Sequence, residues 1–216
     1  MHASLLGIAL THAERVFDLA AGVSGSLMHY GEPQAAQLLE HAALRARKWE
    51  QESDTIVTRV RSLARRTKRP EVYASLLHDA DDAADGLEEA SFLMTHLVAV
   101  APAGRLLEPV QALAALLVSG AQESVKMFEA ASHVTRAGAR EDLEDFFAAV
   151  DRIVAIEHET DAAQRAVTSA LLSSDADVRT FNVLSRLAEA LEEAADGLAP
   201  CALKLRDQVL DEMMRG

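Results

Sequence analysis

With 216 residues, half of them hydrophobic, the chain is long enough to bury a sizeable core and too apolar to be disordered. Aromatics make up only 4%, and five prolines and ten glycines are too few for the many turns of an all-β chain, so the composition points to a helical bundle with close contacts. Thirty-four acids against 21 bases give a formal charge of -13, which repels phosphate backbones and sets nucleic-acid binding aside. The single cysteine, Cys201, excludes an intrachain disulfide and a multi-thiolate zinc site. The opening residues lack a basic segment followed by a long apolar run, so no signal peptide is expected. The longest apolar stretch, Val110 to Val118, is too short to span a bilayer. A cytoplasmic protein is the expectation.

Six long helices are predicted in chain order. The first covers about Ser4 to Tyr30 and ends at Gly31 and Pro33. The second runs from about Pro33 to Arg66, with Pro33 suited to its first turn. Leu39, Ala42, Ala46, Trp49, Ser53, Ile56, Val60 and Leu63 form its inward stripe, in mixed steps of 3 and 4. Lys68-Arg69-Pro70 breaks it. The third covers about Pro70 to Val100, with Tyr73, Leu77, Ala80, Ala84, Leu87, Ser91, Met94 and Val98 inward. After Pro102 and Gly104 come a fourth helix, about Leu106 to Val134 and ending near Gly138, and a fifth, about Glu141 to Leu172. Ser173-Ser174-Asp175 reads as a turn and an N-cap. The sixth helix extends from about Asp177 to Met213, and Pro200 inside it should produce a kink. No segment has the period-2 alternation of a strand.

The second half repeats the first. The second predicted helix maps onto the fifth with an offset of 107, which places Trp49 on Ile156 and Ser53 on Thr160. The third maps onto the sixth with an offset of 111, and Ala-Ala-Asp-Gly-Leu is identical at 83–87 and 194–198. A tandem pair of three-helix bundles, residues 1–101 and 102–216, is the simplest account. Its short loops favour antiparallel neighbours.

The repeat carries acid pairs. Residues i and i+4 share a helix face, so Glu50 projects with Asp54 and Glu157 with Asp161. Asp81 and Asp85 form the partner row of the first half, extended by His78 and Glu88. Glu192 and Asp196 form that of the second, extended by Glu189. Chance alone gives roughly five such pairs in a chain this acidic, so one pair says little. Four pairs at equivalent positions, each beside an apolar stripe and with Gly after the last Asp in both halves, say more. Like charges at this spacing cost an isolated helix about 0.2–0.5 kcal/mol per pair, which a bound cation would offset. Carboxylate clusters suit hard or borderline cations such as magnesium, manganese or iron, and zinc less exclusively.

Other residues read as structural. His2, His12, His29, His41, His96 and His133 are scattered and fit surface or core-edge positions. His158 is placed to point away from Glu157 and Asp161. Cys201 falls beside an apolar stripe and is expected to be packed. Arg59, Arg61, Arg65, Arg66, Lys68 and Arg69 form a basic run that suits a helix C-terminus.

These residues resemble the PhoU-like proteins, accessory proteins of phosphate uptake built from two three-helix repeats with acid-x-x-x-Asp motifs on two helices of each. The matching pairs here are Glu50/Asp54, Asp81/Asp85, Glu157/Asp161 and Glu192/Asp196. Asp81-Asp82-x-x-Asp85, and Leu191-Glu192 to Asp196, look more like the subgroup that accompanies Pit-type phosphate permeases than like the one acting with ATP-driven transporters. Arg186 and Glu189 are more loosely arranged than in that subgroup. The resemblance implies an all-α, PhoU-like fold and a metal site in each half, with iron, zinc or other ions and multinuclear clusters. It also implies a role as a non-enzymatic regulator that reaches the membrane only through a phosphate permease or its sensor; self-association is compatible with it. The alternatives are a purely structural helical adaptor and a carboxylate-bridged dinuclear metal enzyme. The chain has no Glu-x-x-His, no phosphate-binding glycine loop and no Gly-x-Ser-x-Gly elbow, so catalysis is not expected.

Overall fold

The computed structural model describes residues 3–65, 70–134 and 140–214. The expected inward side chain of Tyr73, the basic residues Arg66, Lys68 and Arg69, the turn near Gly138, and His2 lie outside the described residues. Among those described, every regular element is helical: α1 (Ala3–Met28), α2 (Ala35–Ala64), α3 (Pro70–Met94), the short α4 (Leu97–Val100), α5 (Gly104–His133), α6 (Arg140–Leu172) and α7 (Val178–Met214). No described helix is long and apolar enough to cross a membrane.

The breaks fall close to where glycine and proline predicted them, with two differences. Pro33 precedes α2 rather than opening it, in a turn closed by the Ala35 amide on the Glu32 carbonyl at 3.0 Å. The helix expected to reach Val100 stops at Met94. There the Thr95 hydroxyl takes the Phe92 carbonyl at 2.7 Å, and the Thr95 and His96 amides bond three residues back. Val98, expected inward, is therefore 48% exposed, and Leu97 is buried instead. The Tyr30 hydroxyl donates to the Leu97 carbonyl at 2.8 Å, which ties the end of α1 to α4. The α7 cap is Asp177, not Asp175: its Oδ1 accepts the amides of Arg179 at 2.8 Å and Thr180 at 2.9 Å. α7 continues through Pro200, which has no N–H to offer the Asp196 carbonyl.

α1, α2 and α3 pack on one another, and so do α5, α6 and α7; α1 on α5 and α3 on α7 join the two sets. The ion pairs Arg186–Glu89 at 2.6 Å and Lys204–Asp79 at 2.5 Å run in opposite senses along α3 and α7, so these two helices are antiparallel. Lys204 also donates to Ser75 Oγ at 2.8 Å. Both helices are buried on more than one side, which explains their alanine content: Ala83, Ala84, Ala90, Ala194, Ala195 and Ala202 are all core.

The α3–α7 crossing accounts for the repeated pentapeptide. A Cβ added to Gly86 would lie 2.8 Å from the Ala190 carbonyl oxygen and 2.9 Å from the Ala194 nitrogen. A Cβ on Gly197 would lie 2.6 Å from the Asp79 carbonyl oxygen and 3.0 Å from the Ala83 nitrogen. The offset of 111 converts one set into the other, as in an isologous contact between two copies of one unit. Only glycine permits backbones this close. Four of the five pentapeptide residues are buried and only the Asp faces out. The glycines therefore serve packing, and they lend no weight to the acidic faces beside them.

Candidate metal centre

α2 and α3 carry the first acidic face. Trp49 is half-buried, with the Arg15 and Arg45 guanidinium groups each 5.9 Å from its ring centroid. This anchors the turn of α2 from which Glu50 and Asp54 project. Ser53, on the inner side of that turn, is 2% exposed, and its hydroxyl donates to Asp81 Oδ1 on α3 at 3.0 Å. His12 of α1 completes the arrangement: it is 1% exposed, its Nε2 meets the Ser53 hydroxyl, and it lies 3.7 Å from Asp81 Oδ1.

The carboxylates of this face sense one another. Burial raises Glu50, and the charges of Asp54, Glu88 and Asp81 add to it, with Arg47 opposing. Burial pushes Asp85 to about 6, helped by Asp81, Glu50, Asp54 and Asp82. Asp81 goes the other way. Burial alone would raise it, but His12 close beside it, the hydrogen bond from Ser53 and the charge of Arg61 outweigh that and hold it low. Glu50, Asp54, Asp81, Asp85 and Glu88 thus belong to one electrostatic cluster. His78 stands at its margin, exposed and 3.5 Å from Asp82.

α6 and α7 carry the second face. Glu157, Asp161 and Asp196 each present an oxygen, all within 4.8 Å of one another. Glu192 is pushed up to about 7, first by burial, then by the charges of Asp196, Asp161 and Glu193, and it shares a hydrogen bond with Asp196. Asp196 is also raised, by burial and then by Glu157 and Asp161. Asp161 holds Arg165 at 2.8 Å. Glu189 is exposed and accepts from Ser185 at 3.4 Å. His158 does not point away as expected: its Nδ1 lies 2.9 Å from Glu157 Oε2 and 2.8 Å from the Val154 carbonyl. The exposed imidazole simply folds back along its own helix. The carbonyl bond, then the Glu157 charge, raises its pKa.

The all-oxygen donor set fits a hard divalent cation better than a thiophilic one. Crowded carboxylates raise each other's affinity for positive charge, whether proton or metal, and these sit at a half-open surface that an ion can reach. Cys201 offers no competing ligand: burial, then Asp79, drives its thiol up to about 12.

His12 is the site-adjacent residue that the sequence reading missed. Its signal was the stripe of α1, where Leu5, Ala9, His12, Val16, Leu19, Val23 and Leu27 recur every 3 or 4 residues and all are buried. A histidine on such a stripe must find a partner inside. The other described histidines singled out with it (His29, His41, His96 and His133) are exposed. Compared with protein families and with curated proteins, the chain matches no family model and no curated sequence.

Proposed function

We propose that the chain is a non-enzymatic, metal-binding regulator of inorganic phosphate transport, cytoplasmic, with the tandem three-helix repeats of the PhoU-like proteins. One observation carries the metal part: Glu157, Asp161 and Asp196 converge within 4.8 Å at positions equivalent to Glu50, Asp54 and Asp85. Glu50, Asp54, Asp81 and Asp85 would hold the ion of the first half, with Glu88 within reach, and Glu157, Asp161, Glu192 and Asp196 that of the second. The pairwise packing within each set of three helices supports the repeat reading. The link to phosphate uptake rests on the motif resemblance, and the partner is then a phosphate permease or its sensor. Unloaded, both faces are too acidic to attract phosphate, so any anion binding should require metal.

The test is metal analysis of protein purified without chelator, followed by thermal melts with iron, manganese, zinc and magnesium. Bound metal that is lost in Asp161→Asn/Asp196→Asn, with a rise in Tm on metal addition, is the expected result. No metal and no thermal response would leave a structural adaptor. Co-purification with a phosphate permease tests the partner separately.

A further inference from the structure

We propose that His12 is a positioning residue for the first acidic face: through Ser53 it holds the Asp81 carboxylate in one orientation for a divalent cation, by a device that the second face does not share. This inference deepens the metal-binding reading and rests on it.

The proton directions follow from the donor inventory. Ser53 has one hydroxyl proton and gives it to Asp81 Oδ1 at 3.0 Å. Its contact with His12 Nε2 must then run the other way, with the imidazole donating and Ser53 accepting. The chain is His12 Nε2–H to Ser53 Oγ–H to Asp81, with the His12 proton directed at Ser53 and the Ser53 proton at the carboxylate. It crosses three helices, α1, α2 and α3, and the His12 and Ser53 side chains are almost fully enclosed. The ring end carrying Nε2 is turned into the cluster, and Nδ1 has no hydrogen-bond partner among the described residues. A polar ring kept in the core with one nitrogen unsatisfied carries a desolvation cost. Alignment of Asp81 is what its satisfied nitrogen does.

The second half lacks the device. α1 maps onto α5 with an offset of 98, which aligns Gly22 and Ser26 with Gly120 and Ser124; each serine bonds the carbonyl of its own glycine, at 2.8 and 3.1 Å. His12 then corresponds to Val110, a fully buried aliphatic side chain. Ser53 corresponds to Thr160, whose hydroxyl bonds the Glu157 carbonyl of its own helix at 2.8 Å. Among the described residues, no hydrogen bond runs from α5 to Glu192. Outer-shell groups that orient a ligand carboxylate typically matter 10–100-fold in metal affinity.

Mn2+ binding tests the proposal, followed by the electron paramagnetic resonance of the free ion in a parent whose second face is neutralised (Glu157→Gln, Asp196→Asn). His12→Leu and Ser53→Ala should each weaken Mn2+ binding about tenfold or more. His12→Gln, whose Nε2 can donate from nearly the same place, and Ser53→Thr should recover most of it. Thr160→Ala, tested in the converse parent (Glu50→Gln, Asp85→Asn), should change affinity less than about twofold, because its hydroxyl does not touch a carboxylate. Undiminished affinity in Ser53→Ala or in a folded His12→Leu would overturn the proposal. So would a loss that neither conservative variant restores, since the role would then be packing. If the parent itself binds no Mn2+, the metal-binding reading has failed, and this shows before any change at His12 or Ser53.

Discussion

The two acidic faces share a backbone plan and differ in what stands behind it. In the first half, the carboxylate on α3 is reached from the core by a hydroxyl and an imidazole, and Asp81 is held below its ordinary range. In the second half the equivalent Glu192 has no such support, and burial with Asp196 and Asp161 beside it drives it to about 7. At matching positions, Asp81 is held as an anion while Glu192 keeps its proton to a higher pH. Carboxylates at matching positions of the sequence repeat therefore have different surroundings. The chemistry of a carboxylate is set by its neighbours, and those come from a third helix, which offers His12 in one half and Val110 in the other.

The comparison assumes that the halves are equivalent in their packing, and the α3–α7 crossing tests this with the largest expected effect. Gly197→Val should cost about 3 kcal/mol in urea unfolding, because its side chain would meet the backbone of Asp79 and Ala83. Gly86→Val should cost a similar amount against Ala190 and Ala194. Costs that differ widely would break the picture of a reciprocal contact.

The next effect separates the faces themselves. Ser53→Ala should destabilise by about 1–3 kcal/mol, since it strips a partner from both buried His12 and Asp81. Thr160→Ala should stay within about 1 kcal/mol, because only an intrahelical bond to Glu157 is lost. Equal costs, read from urea midpoints, would remove the asymmetry.

A smaller effect follows from pH. Glu192 is raised from 4.5 to about 7, so between those values the folded chain keeps a proton that the unfolded chain has released. Metal-free protein should therefore become more stable as pH falls from 7 towards 4.5, and level off above 7. Asp85, raised from 3.8 to about 6, acts with the same sign over its own range. Asp81 opposes them at the acid end, its contribution being lost as pH falls through its lowered value. Urea midpoints at pH 7.5 and 5.0, with and without Glu192→Gln, measure this; the substitution should flatten the upper part of the change. The smallest effect belongs to Arg165→Ala. Its ion pair with Asp161 is largely exposed, so stability should move by less than about 0.5 kcal/mol in the same titration.

Much of the helical plan was legible. Gly31, Pro33 and Pro102 lie between helices, Pro70 opens α3, and the mixed 3–4 stripe of the second predicted helix is buried or half-buried. The break after Met94 was not legible, because Phe92 to Val100 contains no glycine or proline; a threonine hydroxyl and the Tyr30 bond to Leu97 end the helix there. The co-facing acid pairs were legible, since i and i+4 are neighbours on any helix. His12 is legible only against the buried stripe of α1, because a histidine taken singly has the same local pattern at a surface as in a core. The role of Gly86 and Gly197 is hidden in the same way. A small residue beside an acid has the same local pattern whether it faces water or another backbone.

By itself, the sequence determined that the chain is helical, where most helices stop, and which carboxylates share a helix face. Each of these depends on residues within one or two turns of one another. Only the tertiary structure decided that α3 crosses α7 at two glycines, that His12 and Ser53 stand behind Asp81, and that Thr160 turns back to its own helix. Those outcomes depend on which of several similar apolar stripes meet. That choice is made by many weak contacts between distant segments, and no short stretch of sequence encodes it.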